Sequence, residues 1–200
     1  SLIHKIFQFA GYNSFLGGNL DKPFSELVVD ELNNKSTQVI YILEISSFQL
    51  EHIYHFNPLI SVILNISKDH MDRYKNMEDY AQAKLNIIKN LREPGWLIYN
   101  SGDILLSNQL HDYDRVLPFS QNYCHQALLS LNKTKVYSHN LSKNKVLFYL
   151  DEIKIKGIHN LENIMAADTV ALKHGINEQN IRDAIIDFQP LPHRLEFLTN

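Results

Sequence analysis

The sequence predicts an α/β fold: a Rossmann-like, mostly parallel sheet flanked by helices, with a small antiparallel β layer. Three observations carry that prediction. Val39 to Ile45 and Leu59 to Ile66 are near-continuous apolar runs rich in β-branched residues, as expected of strands covered on both faces. Amphipathic helical patterns with their own start and stop signals stand between and around the strand runs. From Lys133 the character changes to short segments, Val136-Tyr137, Val146 to Leu150 and Ile153 to Lys156, separated by polar turns. The clean alternation of the last segment suits a half-exposed antiparallel strand, and residues from about 115 to 157 are read as that layer.

Taken in order, Leu2, Ile3, Ile6, Phe7 and Ala10 form one apolar stripe at helical spacing, and Gly11 supplies a left-handed C-cap. A short strand around Ser14 to Leu16 leads into Gly17-Gly18-Asn19, which allows a tight turn or close approach of backbone to a ligand. Asp21, Lys22 and Pro23 open a helix to about Leu32. The two long apolar runs then bracket Ser46-Ser47-Phe48-Gln49, where Gln49 follows Ser46 at capping-box spacing, so Tyr41 to Ile66 reads as strand, crossover helix, strand. Asn76 caps the next helix, with Glu78 and Asp79 in its first turn. Trp96 to Tyr99 and Arg115 to Phe119 are further strands. A helix from Gly157 buries Leu161, Ile164, Met165 and Leu172 and ends at Gly175. Another starts at Asn177 and stops before Pro190.

The bulk numbers exclude several classes. The 200 residues, 44% hydrophobic and 20% charged, suit one large globular domain with a proper core. A net charge of -3 argues against sequence-independent nucleic-acid binding, which needs a basic surface. The single cysteine, Cys124, excludes an internal disulfide framework and agrees with a reducing compartment. No apolar stretch is long enough to span a bilayer. Ser1 starts directly on a helical pattern with no initiator Met, so the sequence reads as a piece of a longer chain.

The residues that carry chemistry cluster at strand ends. Glu44 closes the first long strand, and Asp69, His70 and Asp72 follow the second. In open α/β sheets ligands bind beyond the carboxyl ends of the strands, so a carboxylate and an imidazole there form either a cation site or a pair of loop caps. The helix after Asn76 has an apolar stripe of Met77, Tyr80, Ala81, Ile87, Ile88 and Leu91, and position 84 on that stripe is a lysine. Lys84 is either a side chain snorkelling past its neighbours or a partly desolvated amine held toward its neutral form. A neutral amine reacts with carbon dioxide to give a carbamate, an anionic oxygen ligand.

Several stretches in one order resemble the central domain of the Mur ligases. They are Gly17-Gly18-Asn19, the string Leu43-Glu44-Ile45-Ser46-Ser47-Phe48-Gln49-Leu50-Glu51, and Asp69-His70-Met71-Asp72-Arg73-Tyr74. Tyr80 to Lys84, Gly157-x-His159-Asn160-x-x-Asn163 and Leu191-Pro192-His193-Arg194 complete the set. The resemblance covers nearly the whole chain and implies a central ATPase domain over residues 1–195, with 196–200 starting a linker to a further domain. It implies an ATP-dependent amide ligase of peptidoglycan precursor synthesis, cytoplasmic and monomeric. The branch suggested by E-x-S-S-F-Q-L-E joins D-glutamate to UDP-N-acetylmuramoyl-L-alanine through an acyl phosphate.

The same resemblance assigns roles. Glu44 and His70 become magnesium-associated, with Mn²⁺ a plausible substitute, and Lys84 corresponds to the family's carbamylated lysine, which favours the second account of its place on the stripe. Asn19, Ser46, Ser47 and Gln49 correspond to positions near the muramoyl-alanine substrate. His159, Asn160, Asn163, His193 and Arg194 correspond to the nucleotide side. Two departures stand out: the glycine-rich phosphate loop G-x-x-G-K-[ST] is absent, and Leu20-Asp21 stands where the family usually has Ile-Gly. The other readings are a sister Mur ligase or folylpolyglutamate synthase-like ligase, and a non-catalytic nucleotide-binding remnant.

Overall fold

The computed structural model describes residues 1–19, 22–34, 37–124, 126–140, 143–155 and 157–189. Its first helix, α1 (Leu2–Phe9), buries Ile6 and Phe7 and is followed by Gly11 in the left-handed region at φ 86°, as the stripe and the glycine predict. Strand β1 (Asn13–Gly18) pairs in parallel with β2 (Val39–Glu44), in a register that sets Gly18 opposite Glu44. Between them runs α2 (Phe24–Asn34), whose only buried residue is Leu27.

The other strands form one six-stranded sheet in chain order: β3 (Ile60–Ile63), β4 (Trp96–Asn100), β5 (Val116–Ser120), β6 (Leu129–Asn132), β7 (Lys135–Asn140) and β8 (Lys143–Tyr149). β3 through β6 are parallel, and β7 and β8 are antiparallel. Residues alternate between two cores. Ile98 packs under α1, α6 (Ile158–His174) and α7 (Glu178–Asp187), while Leu97, Tyr99 and Ile63 pack under α4 (Met77–Leu85) and α5 (Ile104–Leu110). Each fully buried Leu, Ile or Phe contributes about 1.5–3 kcal/mol, so these two layers supply most of the driving force for folding. Ile40 and Ile42 of β2 share the first core with Ile60 and Val62 of β3, so both sheets lie under one helical layer.

Several expectations are corrected. The strand, crossover helix and strand read over Tyr41 to Ile66 are present, with β2 bonded to β1 and β3 to β4, but the crossover helix α3 (Ser47–Leu50) is only a single turn of 4 residues. The antiparallel layer is smaller than 115–157, because β5 and β6 extend the parallel sheet. Ile153 and Ile155 are buried and Lys154 exposed, as the alternation required. Yet residues 153–155 form no strand; the two isoleucines plug the first core instead. The helix after Asn76 ends at Leu85 and tightens into a 3-10 turn, Asn86–Ile88. Helix α5, opened by the Asp103 side chain accepting from the Leu106 N–H, has no counterpart in the sequence reading. Its start signal was present in Asn100-Ser101-Gly102-Asp103, which the turn residues disguised as a plain loop.

Candidate functional site

Gly17 and Gly18 are the last residues of β1 and not the tight turn the sequence allowed, and both are built against the chain itself. A Cβ on Gly17 would meet the Lys22 carbonyl oxygen at 2.2 Å, and one on Gly18 would meet the Glu44 carbonyl oxygen at 2.2 Å. Asn19 then donates its backbone N–H to that same Glu44 oxygen at 2.7 Å. Both glycines are therefore dictated by backbone packing, and their effect is to set Asn19 beside Glu44 with both side chains exposed.

From Glu44 the chain enters α3 through the predicted capping box. The Gln49 N–H donates to Ser46 Oγ at 3.3 Å, and the Ser46 N–H donates to Gln49 Oε1 at 2.9 Å. Ser46 and Gln49 are thus engaged with each other, and Ser47 is buried. Phe48 leaves this turn to lie against the His70 ring, 4.9 Å between centroids. His70 also meets Tyr80 at 6.0 Å, and the Lys84 ammonium lies 5.0 Å from the Tyr80 ring centre. Side-chain contacts therefore run Phe48, His70, Tyr80, Lys84, and they join the exit of β2 to α4. Lys84 itself is half-buried between buried Ala83 and Leu85.

His70 holds a left-handed backbone, φ 54°, which few non-glycine residues adopt without local support. The Asp69 carboxylate accepts from the His70 N–H at 2.8 Å and lies 3.5 Å from Nε2. Glu51 supplies a second anchor: it accepts from Arg73 Nε at 3.3 Å and Nη2 at 2.6 Å, and from the Tyr74 hydroxyl at 2.5 Å. The Arg73 and Tyr74 bonds hold the Glu51 carboxyl down at about 2, while burial and the Glu51 bond push the Tyr74 phenol up. Sequence reading gave Glu51, Arg73 and Tyr80 no role; only their place inside the recognised strings marked them.

A second group sits at the carboxyl end of β4. The buried Asn100 amide donates to Glu162 Oε1 at 2.8 Å, while its Oδ1 accepts the Gly102 N–H at 2.9 Å. The other Glu162 oxygen lies 3.2 Å from His159 Nδ1. Asn65, Asn100, Gln121 and Glu162 line a polar crevice of about 330 Å³ beyond the ends of β3, β4 and β5, where an open α/β sheet takes its ligands. His159 and Asn163 are exposed on the first turns of α6, with Asn160 half-buried beside them. His193 and Arg194 lie outside the described residues.

Among the described residues no three His, Cys, Asp or Glu side chains converge on one metal position. Magnesium seldom has such a cage: it takes one or two carboxylates and completes its shell with water and substrate phosphate. The exposed Glu44 carboxylate fits that manner of binding. No helix of the described residues is long and apolar enough to cross a membrane.

Comparison with known proteins agrees with this geometry. The Mur ligase middle domain model matches residues 1–171. A UDP-N-acetylmuramoylalanine--D-glutamate ligase of Geotalea daltonii is 36% identical over 99% of this chain and 43% of its own length. One from Clostridioides difficile is 33% identical over 100% of the chain and 44% of its own. The chain thus spans less than half the length of these relatives. Among solved structures, MurF from Acinetobacter baumannii superposes with a TM-score of 0.74 at 16% identity, covering 100% of this chain and 45% of that one. A pseudomurein peptide ligase type C from Methanothermus fervidus gives 0.68 at 14% identity, over 98% of this chain and 47% of that one. With the two glycines at the end of β1, the capped E-x-S-S-F-Q-L-E turn and the His70–Tyr80–Lys84 contacts in place, the chain belongs to the Mur ligase family, as its middle domain.

Proposed function

We propose that the protein carrying this domain is a cytoplasmic, monomeric, ATP-dependent amide ligase that joins D-glutamate to UDP-N-acetylmuramoyl-L-alanine. In this reading the substrate carboxylate attacks the γ-phosphorus of ATP and ADP leaves. The D-glutamate amine then attacks the acyl carbon and phosphate departs. Such chemistry consists mostly of positioning and charge neutralisation. The observation that carries the proposal is the series Phe48–His70–Tyr80–Lys84, which brings an imidazole and a lysine to one tyrosine, next to the exit of β2.

Each group has a part. Glu44 and His70 would hold the divalent ion, whose contribution is to neutralise phosphate charge. Lys84, as a carbamate, would add an anionic oxygen there. Asn19 and the Ser46–Gln49 turn face the muramoyl-alanine end. His159, Asn160 and Asn163, with His193 and Arg194, take the nucleotide. The D-glutamate relatives favour this acceptor over those of the sister ligases. The test is phosphate release by the full-length protein with MgATP and UDP-N-acetylmuramoyl-L-alanine, comparing D-glutamate with L-glutamate, L-lysine and diaminopimelate as acceptors. Turnover with D-glutamate alone is expected, and turnover with another acceptor alone would replace the substrate assignment.

A further inference from the structure

We infer that Glu51 is a positioning residue for His70, acting through Arg73 and Tyr74 to hold the histidine in its left-handed conformation. The inference rests on the reading of His70 as a metal-associated residue for its functional meaning, though not for its geometry. Three observations support it. First, Glu51 is hydrogen-bonded to two successive residues, Arg73 through Nε and Nη2 and Tyr74 through its hydroxyl. Second, the backbone N–H groups of those same two residues donate to the His70 carbonyl, at 3.0 and 3.1 Å. The turn that gives His70 its φ of 54° is therefore closed by the pair of residues that Glu51 grips. Third, the grip also fixes the ring. The Arg73 guanidinium lies 4.8 Å from the Phe48 ring centre, and Phe48 and Tyr80 both meet the imidazole.

The physical logic is that of strain kept by surroundings. A non-glycine residue at positive φ persists only where neighbouring structure over-determines it. An ion pair on an exposed loop ordinarily contributes little, but a fork-shaped guanidinium bonded twice to one carboxylate adds direction as well as attraction. Here that direction is spent on one backbone turn. Groups that orient a metal-associated histidine typically change metal affinity or activity by about 10–100-fold when removed.

The experiment uses the full-length protein with Glu51→Gln, which keeps the shape of the side chain and removes its charge. Histidine-labelled protein, with the His70 ring signal assigned by its loss in His70→Ala, reports the position of that ring against Phe48 and Tyr80. The expected result is a His70 signal displaced toward that of a solvated histidine, with a smaller displacement in Arg73→Lys, in variants that still unfold in one cooperative transition. A His70 signal unmoved in Glu51→Gln would overturn the inference, whatever the activity does. In parallel, the magnesium concentration giving half-maximal phosphate release should rise roughly 10-fold in Glu51→Gln. Adding Glu51→Gln to His70→Ala should raise it no further. If His70→Ala leaves the magnesium requirement unaltered while the ring signal still moves in Glu51→Gln, the metal role of His70 falls and the positioning role stands.

Discussion

Lys84 carries its ammonium 5.0 Å from the ring centre of Tyr80, one helical turn earlier, and the His70 ring meets the same tyrosine at 6.0 Å between centroids. A cation over a tyrosine face is a favourable resting place for a protonated lysine, whereas the proposed carbamate requires the neutral amine, so variants of Lys84 separate the two roles. In the full-length enzyme Lys84→Ala is expected to lower turnover by roughly 100-fold. Lys84→Arg should fail as well, because guanidinium stays charged and forms no carbamate. Acetate or formate should restore part of the Lys84→Ala activity by supplying a carboxylate oxygen in the vacated space. Rescue by small amines alone, or an active Arg variant, would return Lys84 to a cationic role on phosphate.

The Asn100–Glu162 bond makes a different prediction. Asn100→Ala removes the donor to Glu162 and the acceptor of the Gly102 N–H, leaving both groups short of a partner in a mostly buried setting. That should cost about 1–3 kcal/mol of stability, read from the denaturant midpoint. With the first turn of α6 no longer tied to β4, the KM for ATP of the full-length protein should rise about 10-fold with a smaller change in kcat. An unchanged KM would separate this crevice from nucleotide binding.

Gly18 and Gly11 offer a matched pair. Both have positive φ, 114° and 86°, but an added Cβ meets the Glu44 carbonyl at the first and nothing within 4 Å at the second. Gly11→Ala should cost roughly 1 kcal/mol, the strain of the backbone alone. Gly18→Ala should cost more, about 3 kcal/mol or above, since β1 and β2 must separate there. Equal midpoints for the two variants would contradict the packing argument.

Asp168 lies wholly buried on α6, and neither carboxylate oxygen has a partner among the described residues. Burial pushes its carboxyl well above the usual 3.8. The folded chain therefore binds a proton that the unfolded chain has released, and stability falls as pH rises above about 4. Asp168→Leu should remove that slope and raise stability near neutral pH by about 1–3 kcal/mol. Parallel stability–pH curves for the two proteins would contradict a neutral buried carboxyl.

Glu51 predicts the opposite sign. Its carboxyl is held at about 2 against 4.5 for the free group, so its contribution is complete above pH 4.5 and disappears as pH falls toward 2. The stability difference between the natural protein and Glu51→Gln should accordingly be flat above pH 5 and close in acid. A difference that persists unchanged at pH 2 would mean the charge is not what matters.

Much of this was legible in the residues because local rules and tertiary structure agreed. The Ser46–Gln49 box, the Asn76 and Asn177 caps and the Gly11 and Gly175 stops are short-range chemistry, and they appear where the spacing put them. Strand pairing was not legible in the same way. Val39 to Ile45 and Leu59 to Ile66 announce buried strands, but nothing in either run says which neighbour each will take. The Ile153–Lys156 alternation fixed which side chains face inward and left open whether a partner strand exists. Within the site, spacing pointed to Glu44, His70 and Lys84. The carboxylate that steadies His70 from the end of α3 depends on a contact 22 residues away in sequence, which no local pattern encodes.

The division of the strands into two sheets has a practical consequence for handling the molecule. Among the described residues β2 has β1 as its one hydrogen-bonded neighbour, and β3 has β4, so each has one edge without a ladder partner. Ile40 and Ile42 of β2 and Ile60 and Val62 of β3 are half-buried, while Ile63 is buried. Such edges are templates for strand addition, and a net charge of -3 gives weak colloidal protection. Solutions of the 200-residue chain are therefore expected to self-associate with rising concentration. The remedy is a strand-forming peptide in trans, which caps an edge and keeps the material dispersed.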